Sequence, residues 1–182
     1  YPPHEYEPRI ARKSGGAAVS VGHRVSSDHQ LARLLQIGIV LEEVVEARSY
    51  HHYQSLDEGS ELDAEIESLL EHAAAESAEH RERLEALVEE LDAESIPFDE
   101  IEALVEAQYG KTEPEDFDDI LYDQLCNEET AYKFYDDLVG ALRASEATFG
   151  IDRDRLIDVL IEIREEEADG VEEVTKIMNK RQ

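Results

Sequence analysis

Apolar residues spaced three and four positions apart recur over four long segments of this chain, and this periodicity restricts the fold more than any other feature. Such spacing is typical of a helix that buries one face in a bundle. The second segment is the clearest case, with a core-facing seam made of Ile66, Leu69, Leu70, Ala73, Ser77, His80, Leu84, Leu87 and Leu91. The sequence therefore predicts long helices over residues 27–56, 61–92, 114–145 and 153–179.

The joints between these segments predict how the helices are connected. Ser27 or Asp28 can cap the first helix, and Asp152 can cap the last. The first pair of helices and the last pair are each joined by a short turn, so each pair should form an antiparallel hairpin. The connection between the pairs is long and carries a predicted short helix over 97–109. One long crossover between two hairpins predicts an all-α, up-down-down-up four-helix bundle over 26–182.

Residues 1–25 lack helical periodicity and are predicted to form a separate N-terminal arm. Its composition favours a disordered tail. The alternative is an arm that docks on an acidic neighbouring subunit, because the segment contains the densest basic cluster of the chain. That cluster consists of Arg9, Arg12, Lys13 and Arg24.

The charge balance is strongly acidic, with 46 Asp and Glu against 17 Lys and Arg and a formal net charge of −29. Such a surface repels nucleic acid and anionic membranes, so neither is expected as a partner. The lysine-poor composition resembles that of proteins from halophilic archaea with salt-rich cytoplasm; the alternative is an acidic mesophilic protein. No apolar run of about 18 residues and no leader sequence is visible, so we expect a cytoplasmic protein.

Two glutamates fall on the apolar faces of the first and third helices. Glu46 and Glu128 are each followed, at the seventh residue, by a tyrosine, Tyr53 and Tyr135. Burying an ionised carboxylate is costly unless it is paired or bound to a metal. One alternative is that these glutamates sit at the edge of the stripe and reach water or an arginine. The matched positions in two helices favour a metal site.

The second and fourth helices add candidate ligands near their middles. Glu76 and His80 lie four residues apart, and Glu166 and Asp169 lie three apart. Either spacing places both groups of a pair on one face of a helix. Several carboxylates with one imidazole suit Fe(II) or Mn(II), with Zn(II) as an alternative.

The repeated Glu and Tyr, together with His80 on the second helix, resemble the ferritin-like superfamily, near rubrerythrin and bacterioferritin. The resemblance covers about residues 27–180. Those proteins place Glu with Tyr seven residues later on the first helix, Glu-x-x-His on the second and fourth, and a further Glu on the third. The resemblance implies a metal ligand set of Glu46, Glu76, His80, Glu128, Glu166 and Asp169, with Tyr53 and Tyr135 hydrogen-bonded to ligand carboxylates.

The chain departs from that motif on the second and fourth helices. Ser77 stands where the family has Glu, and Glu76 is the nearest substitute. On the fourth helix Asp169 stands in place of the histidine. In a second frame that fits almost as well, Gly170 takes that place and Glu167 becomes the inward carboxylate. The site could therefore be a carboxylate-rich variant, a single-metal site or a site that has lost its metal.

The resemblance implies a protein that binds iron and oxidises ferrous ion with dioxygen or peroxide, for storage or for detoxification. Whether the chain is an enzyme stays open at this point. The alternative is a non-catalytic structural or oligomeric subunit with a degenerate metal site. Closed symmetric oligomers are the norm for such subunits, so a homo-oligomer, either a dimer or a cage, is expected.

Overall fold

Four long α-helices make up nearly all of the chain that the structure, a computed structural model, describes. The described residues are 25–55, 61–91, 93, 99–100, 103 and 120–180. Within them the long helices are α1 (Asp28–Ser55), α2 (Glu61–Glu90), α3 (Ile120–Ala144) and α4 (Arg153–Lys180); residues 99–100 and 103 are also helical, and no strand occurs. The all-α fold with four long helices is therefore confirmed.

Three parts of the prediction lie outside the described residues. They are positions 1–24 of the arm, most of the short helix at 97–109, and 114–119 at the start of the third helix. The connection between α2 and α3, predicted to be a long crossover, also lies mostly outside the described residues. Among the described helices, none is both long enough and apolar enough to cross a membrane.

The predicted caps are present at α1 and α4. The Ser27 hydroxyl accepts a hydrogen bond from the Gln30 amide at 3.2 Å, and the Asp152 carboxylate accepts one from the Asp154 amide at 3.3 Å. Each cap satisfies a backbone N–H that has no partner within its helix. Asp28 instead accepts from the Gly150 amide at 2.9 Å, which ties the start of α1 to the turn between α3 and α4.

The helices pack most extensively in two pairs, α1 with α2 and α3 with α4. The pairs are joined by antiparallel contacts between α2 and α4, where Glu90 meets Arg155 near one end and Glu65 meets Lys180 near the other. Helices α1 and α3 also run antiparallel and are linked through the buried Asp123, which pairs with Arg48 at 2.9 Å and forms a hydrogen bond with His52 Nε2 at 2.6 Å. The two pairs are thus fixed in register at several levels of the bundle.

The apolar core is divided by a polar layer at mid-height. One apolar cluster includes the fully enclosed Leu84 and Leu138, and the other includes Leu70 and Val174. Every seam residue predicted for α2 is buried, including the two polar members that lie between the clusters. The polar layer therefore interrupts the core without breaking the helical seams, and it is the feature of the fold that requires a chemical explanation.

Candidate metal centre

His80 lies at the centre of the polar layer and is completely enclosed. Its Nδ1 is 3.1 Å from Glu167 Oε1 and 3.3 Å from Glu42 Oε1, and its Nε2 is 2.5 Å from Glu166 Oε2. Burial alone would lower the pKa of His80, but hydrogen bonds to Glu42 and Glu166 outweigh it and raise the pKa to about 9. The imidazole is therefore protonated on both nitrogens and positively charged at neutral pH when no metal cation is bound.

The first group of converging donors joins three helices. One donor atom each from Glu42 on α1, His80 on α2 and Glu167 on α4 lies within 4.8 Å of the other two, and all three residues are buried. Glu42 Oε2 has no hydrogen-bond partner among the described residues. A buried carboxylate oxygen without a partner is costly and rare. A cation at this point would satisfy it.

A second group of donors adjoins the first and shares Glu167 with it. Donor atoms of Glu76 on α2, Glu128 on α3 and Glu167 again lie within 4.8 Å of one another. Glu128 is 4% exposed, and its Oε2 also lacks a hydrogen-bond partner among the described residues. Every donor in this second group is a carboxylate oxygen.

The crowding of these carboxylates shows in their proton affinities. Burial, with the charge of Glu128 beside it, raises the pKa of Glu76 to about 8. Burial raises the pKa of Glu128, and burial with the charges of Glu42 and Glu128 raises that of Glu167 well above its usual range. The cluster needs positive charge, which either protons or a divalent cation can supply. Its donors, mainly carboxylates with one imidazole, fit iron or manganese.

Two buried hydrogen-bond systems hold the carboxylates in place. The Tyr135 hydroxyl donates to Glu42 Oε1 at 2.5 Å, and burial raises the pKa of Tyr135 well above its usual range, so the hydroxyl keeps its proton. The Gln124 amide donates to Glu128 Oε1 at 3.0 Å and accepts from the Ser49 hydroxyl at 3.1 Å. In both cases one oxygen of the glutamate is held, and the other accepts no hydrogen bond from a permanent donor among the described residues.

Gly170 makes room for the Glu128 carboxylate. A Cβ atom at this position would lie 2.7 Å from Glu128 Oε2 and 2.8 Å from Glu128 Cδ. The contact is closer than van der Waals packing allows, so any side chain here would displace the carboxylate. The frame in which Gly170 faces the bundle and Glu167 points inward is the one that the structure contains.

Of the predicted ligands, the structure brings Glu76, His80 and Glu128 together and places two others elsewhere. Glu46 lies one turn beyond the cluster, with its side chain 34% exposed and ion-paired to Arg81 at 2.7 Å. Asp169 is exposed on the outer face of α4. The edge-of-stripe alternative therefore describes Glu46, because an arginine from α2 reaches it at the surface.

Glu166 and the two tyrosines take different positions relative to the prediction. Glu166 is 41% exposed and contacts the outer nitrogen of His80, so it orients the imidazole instead of joining either donor group. Tyr135 contacts a cluster carboxylate as expected, although that carboxylate is Glu42. Tyr53 does not: its hydroxyl donates to the exposed Glu67 at 3.2 Å.

The residue that the sequence interpretation missed is Glu42, and a signal for it exists. On α1 the buried apolar residues Ile39 and Val45 both follow helical spacing, but the step between them is too long for a continuous seam. A seam with steps of three or four residues must include a residue between them, and Glu42 lies midway between Ile39 and Val45. Glu42 and Glu46 are one helical turn apart and lie near the same face of α1, which is why the sequence match between α1 and α3 could pair Glu128 with Glu46 instead of Glu42.

Comparison with known proteins adds no relative: no protein-family profile, no curated protein and no solved structure matches this chain.

Replacing Tyr135 with phenylalanine should weaken metal binding, since Glu42 would lose the donor that fixes its orientation. Loss of such an outer hydrogen bond costs about 10-fold to 100-fold in metal affinity, and we expect a value near the lower end. Tyr132→Phe is the matched control, because Tyr132 lies three residues earlier on α3 beside Asp136 and Arg164. Titration with Mn(II) measures both; equal affinities in the two variants would contradict a role for Tyr135.

Proposed function

We propose that this chain is a ferritin-like metal-binding protein that binds iron inside its helical bundle and oxidises it. The observation that carries the proposal is the buried group of Glu42, His80 and Glu167, in which Glu42 Oε2 has no hydrogen-bond partner among the residues that the structure describes. An enclosed, partnerless carboxylate oxygen beside an imidazole and a second carboxylate is the arrangement expected of a metal ligand set.

The directions of the helices support the ferritin-like assignment. The residue pairs between helices run in opposite directions for α1 with α2 and α3, and for α4 with α2 and α3, which is what an up-down-down-up bundle requires. Inward carboxylates come from all four helices, and the histidine comes from the second. These features agree with the resemblance found in the sequence, with Glu42 and Glu167 in the positions first given to Glu46 and Glu166.

Each part of the cluster has a role in holding the ion. Glu42 Oε2, His80 Nδ1 and Glu167 would bind iron directly, and manganese or zinc fits the same donors. Bound there, iron supplies one-electron redox chemistry, with dioxygen or peroxide as the acceptor. The two apolar clusters above and below the polar layer exclude bulk water from these donors.

Protons leave the cluster when a cation enters it. In the metal-free protein His80 donates from both ring nitrogens, to Glu166 on one side and to Glu42 and Glu167 on the other. His80 Nδ1 would give up that proton to hold a metal, and its hydrogen bond from Nε2 to Glu166 would fix the tautomer. Tyr135 keeps its hydroxyl proton and continues to orient Glu42.

A non-catalytic, oligomeric ferritin-like subunit is the second candidate, and one observation favours it. The positions at which the family motif would complete a second, matching half of the site hold Ser77 and Gly170. A subunit of this kind would retain metal without oxidising it rapidly. In either case we propose a homo-oligomer, by resemblance to ferritin-like subunits, and a salt-rich cytoplasm, which the net charge of −29 supports.

Ferrous oxidation distinguishes these candidates. We expect the protein, purified in molar salt and given Fe(II) under air, to form ferric species faster than buffer alone. Glu42→Gln should slow this at least about tenfold, because it removes a ligand and its charge. Glu46→Gln removes the same charge one turn away, at a partly exposed ion pair, and should change the rate less than about twofold.

Three outcomes decide the test. Oxidation that depends on Glu42 and not on Glu46 supports the enzyme. Metal bound with no oxidation above buffer supports the non-catalytic subunit. Protein that retains no metal by elemental analysis and oxidises no iron contradicts both.

A further inference from the structure

A buried ion pair between α1 and α3 belongs to neither group of metal donors. Asp123 on α3 is completely enclosed; one of its oxygens pairs with Arg48 at 2.9 Å, and the other forms a hydrogen bond with His52 Nε2 at 2.6 Å. The Arg48 side chain is itself only 13% exposed. Taking such charges out of water costs so much that apolar side chains of similar size often stabilise a fold equally well. Stability alone therefore does not explain this pair.

The residues next to this pair form a second buried link between the same two helices. Ser49, which follows Arg48, donates a hydrogen bond from its hydroxyl to Gln124, which follows Asp123, at 3.1 Å. Both Ser49 and Gln124 are completely enclosed. Successive residues of a helix point about 100° apart around its axis. Two directional links from adjacent positions therefore fix the position of α3 along α1 and its rotation about its own axis, whereas apolar contacts are non-directional.

This arrangement is connected to the metal donors through Gln124. The Gln124 amide donates to Glu128 Oε1 at 3.0 Å, and Glu128 lies about one turn further along α3. On α1, Glu42 lies about two turns before Ser49. A shift of α3 along α1 by the rise of one residue would move Glu128 about 1.5 Å relative to Glu42. Distances between a metal and its ligands vary by only about 0.2 Å, so the placement of the two helices decides whether their donors can serve one centre.

We propose that Asp123 and Ser49 are positioning residues for the metal centre: by fixing α3 against α1, they set how tightly the donors of these helices hold a cation. This inference rests on the proposed metal centre and deepens it, because it assigns part of the metal affinity to residues outside the donor groups. Asp123 acts through its contacts with α1, and Ser49 acts through Gln124. Fixing the register of helices is the best-attested role of polar groups buried between them.

Replacing either residue should weaken the binding of Mn(II) to the folded protein. Asp123→Asn keeps the size of the side chain but turns one acceptor oxygen into a donor, so Arg48 or His52 loses its bond. Ser49→Ala removes only the hydroxyl that holds Gln124. We expect each change to lower Mn(II) affinity at least about tenfold. Electron paramagnetic resonance of the hydrated ion measures the affinity, and the spectrum of the bound ion, which reports its ligand geometry, should change in both variants.

Leu142→Ala is the control that separates positioning from stability. Leu142 is completely enclosed in an apolar cluster, about four turns beyond Glu128 on α3. Its truncation leaves a cavity and should lower the melting temperature. The folded variant should nevertheless bind Mn(II) within about twofold of wild type and give an unchanged bound-ion spectrum, because distant sites act independently. Circular dichroism checks that each variant is folded at the temperature of the titration.

The outcomes separate this inference from the proposed function. If Asp123→Asn or Ser49→Ala leaves both the affinity and the spectrum unchanged, that residue has no positioning role, while the metal centre stands. Equal loss of affinity in Leu142→Ala would also overturn the inference, since affinity would then follow stability. If Asp123→Asn does not fold, Ser49→Ala decides in the same way. If wild-type protein binds no Mn(II), the metal centre itself is contradicted and the inference fails with it.

Discussion

Glutamine in place of Glu167 is expected to abolish metal retention and, at the same time, to raise the melting temperature of the metal-free protein by about 3–6 °C. Glu167 belongs to both donor groups, so its loss removes a ligand from each. Its pKa lies well above the usual range because burial and the charges of Glu42 and Glu128 oppose ionisation. Burial therefore favours the protonated, neutral form of this carboxyl, and glutamine is permanently neutral.

The matched control for this variant is Glu165→Gln. Glu165 lies on the same helix, is exposed, and pairs with Arg164 at the surface. Its replacement removes the same charge but should leave metal retention unchanged and the melting temperature within about 1–2 °C. Elemental analysis and thermal unfolding measure the two properties. A Glu167→Gln protein that loses stability and keeps its metal would contradict the assignment.

Without metal, the protein is expected to lose thermal stability between pH 6.5 and 9, by roughly 5–10 °C in melting temperature. The folded pKa of Glu76 is raised to about 8, and those of Glu128 and Glu167 are raised as well. A carboxyl group whose pKa is higher in the folded than in the unfolded protein destabilises the fold as the pH rises above its pKa in the unfolded protein. The pKa of His80 is raised to about 9, so its contribution is present below pH 6.5 and is lost as pH rises through 9. All four groups therefore lower the stability of the metal-free fold as the pH rises.

With saturating Mn(II), the melting temperature should instead rise between pH 6.5 and 9. The ligands must lose protons to bind a metal, so metal affinity increases with pH. Measurement in molar salt screens the surface carboxylates, most of which are already ionised above pH 6. Glu167→Gln should flatten the metal-free slope, and Glu165→Gln should retain it. A metal-free protein that is equally stable at pH 6.5 and 9 would contradict a cluster that holds protons in place of a cation.

Helix positions could be predicted from the sequence because the seams are nearly uninterrupted. On α2 each step of the seam is three or four residues, and the two polar members, Ser77 and His80, were assigned to the buried face correctly. The turn signals at Ser27 and Asp152 fixed the starts of α1 and α4. Local spacing and capping chemistry suffice for such elements, since neither depends on contacts between helices.

The ligands on α1 and α4 could not be fixed in the same way, because neighbouring choices share the helical period. Glu42 and Glu46 differ by one turn, and both continue an apolar stripe. The match between Tyr53 and Tyr135 favoured Glu46, yet the Tyr53 hydroxyl donates to the exposed Glu67 and does not contact a carboxylate of the cluster. What decides between the two glutamates is a contact from another helix, namely Arg81, which holds Glu46 at the surface.

On α4 the step from Ile163 can lead to Glu166 or to Glu167. Val171 is buried and lies one turn after Glu167, so the seam passes through Glu167. The close contact between Gly170 and Glu128 also favours this frame. It joins residues from two helices, so the residue spacing within either helix does not predict it. Tertiary contacts of this kind set which of two adjacent carboxylates faces the core.

Anomalous X-ray diffraction at the iron absorption edge, from crystals equilibrated with Fe(II) without oxygen, tests the metal centre most directly. We expect a peak inside the bundle within about 2.0–2.3 Å of Glu42 Oε2, His80 Nδ1 and a Glu167 oxygen. The same peak should be absent in crystals of Glu167→Gln. Iron found only at surface carboxylates, or an equal internal peak in both proteins, would contradict the proposed centre.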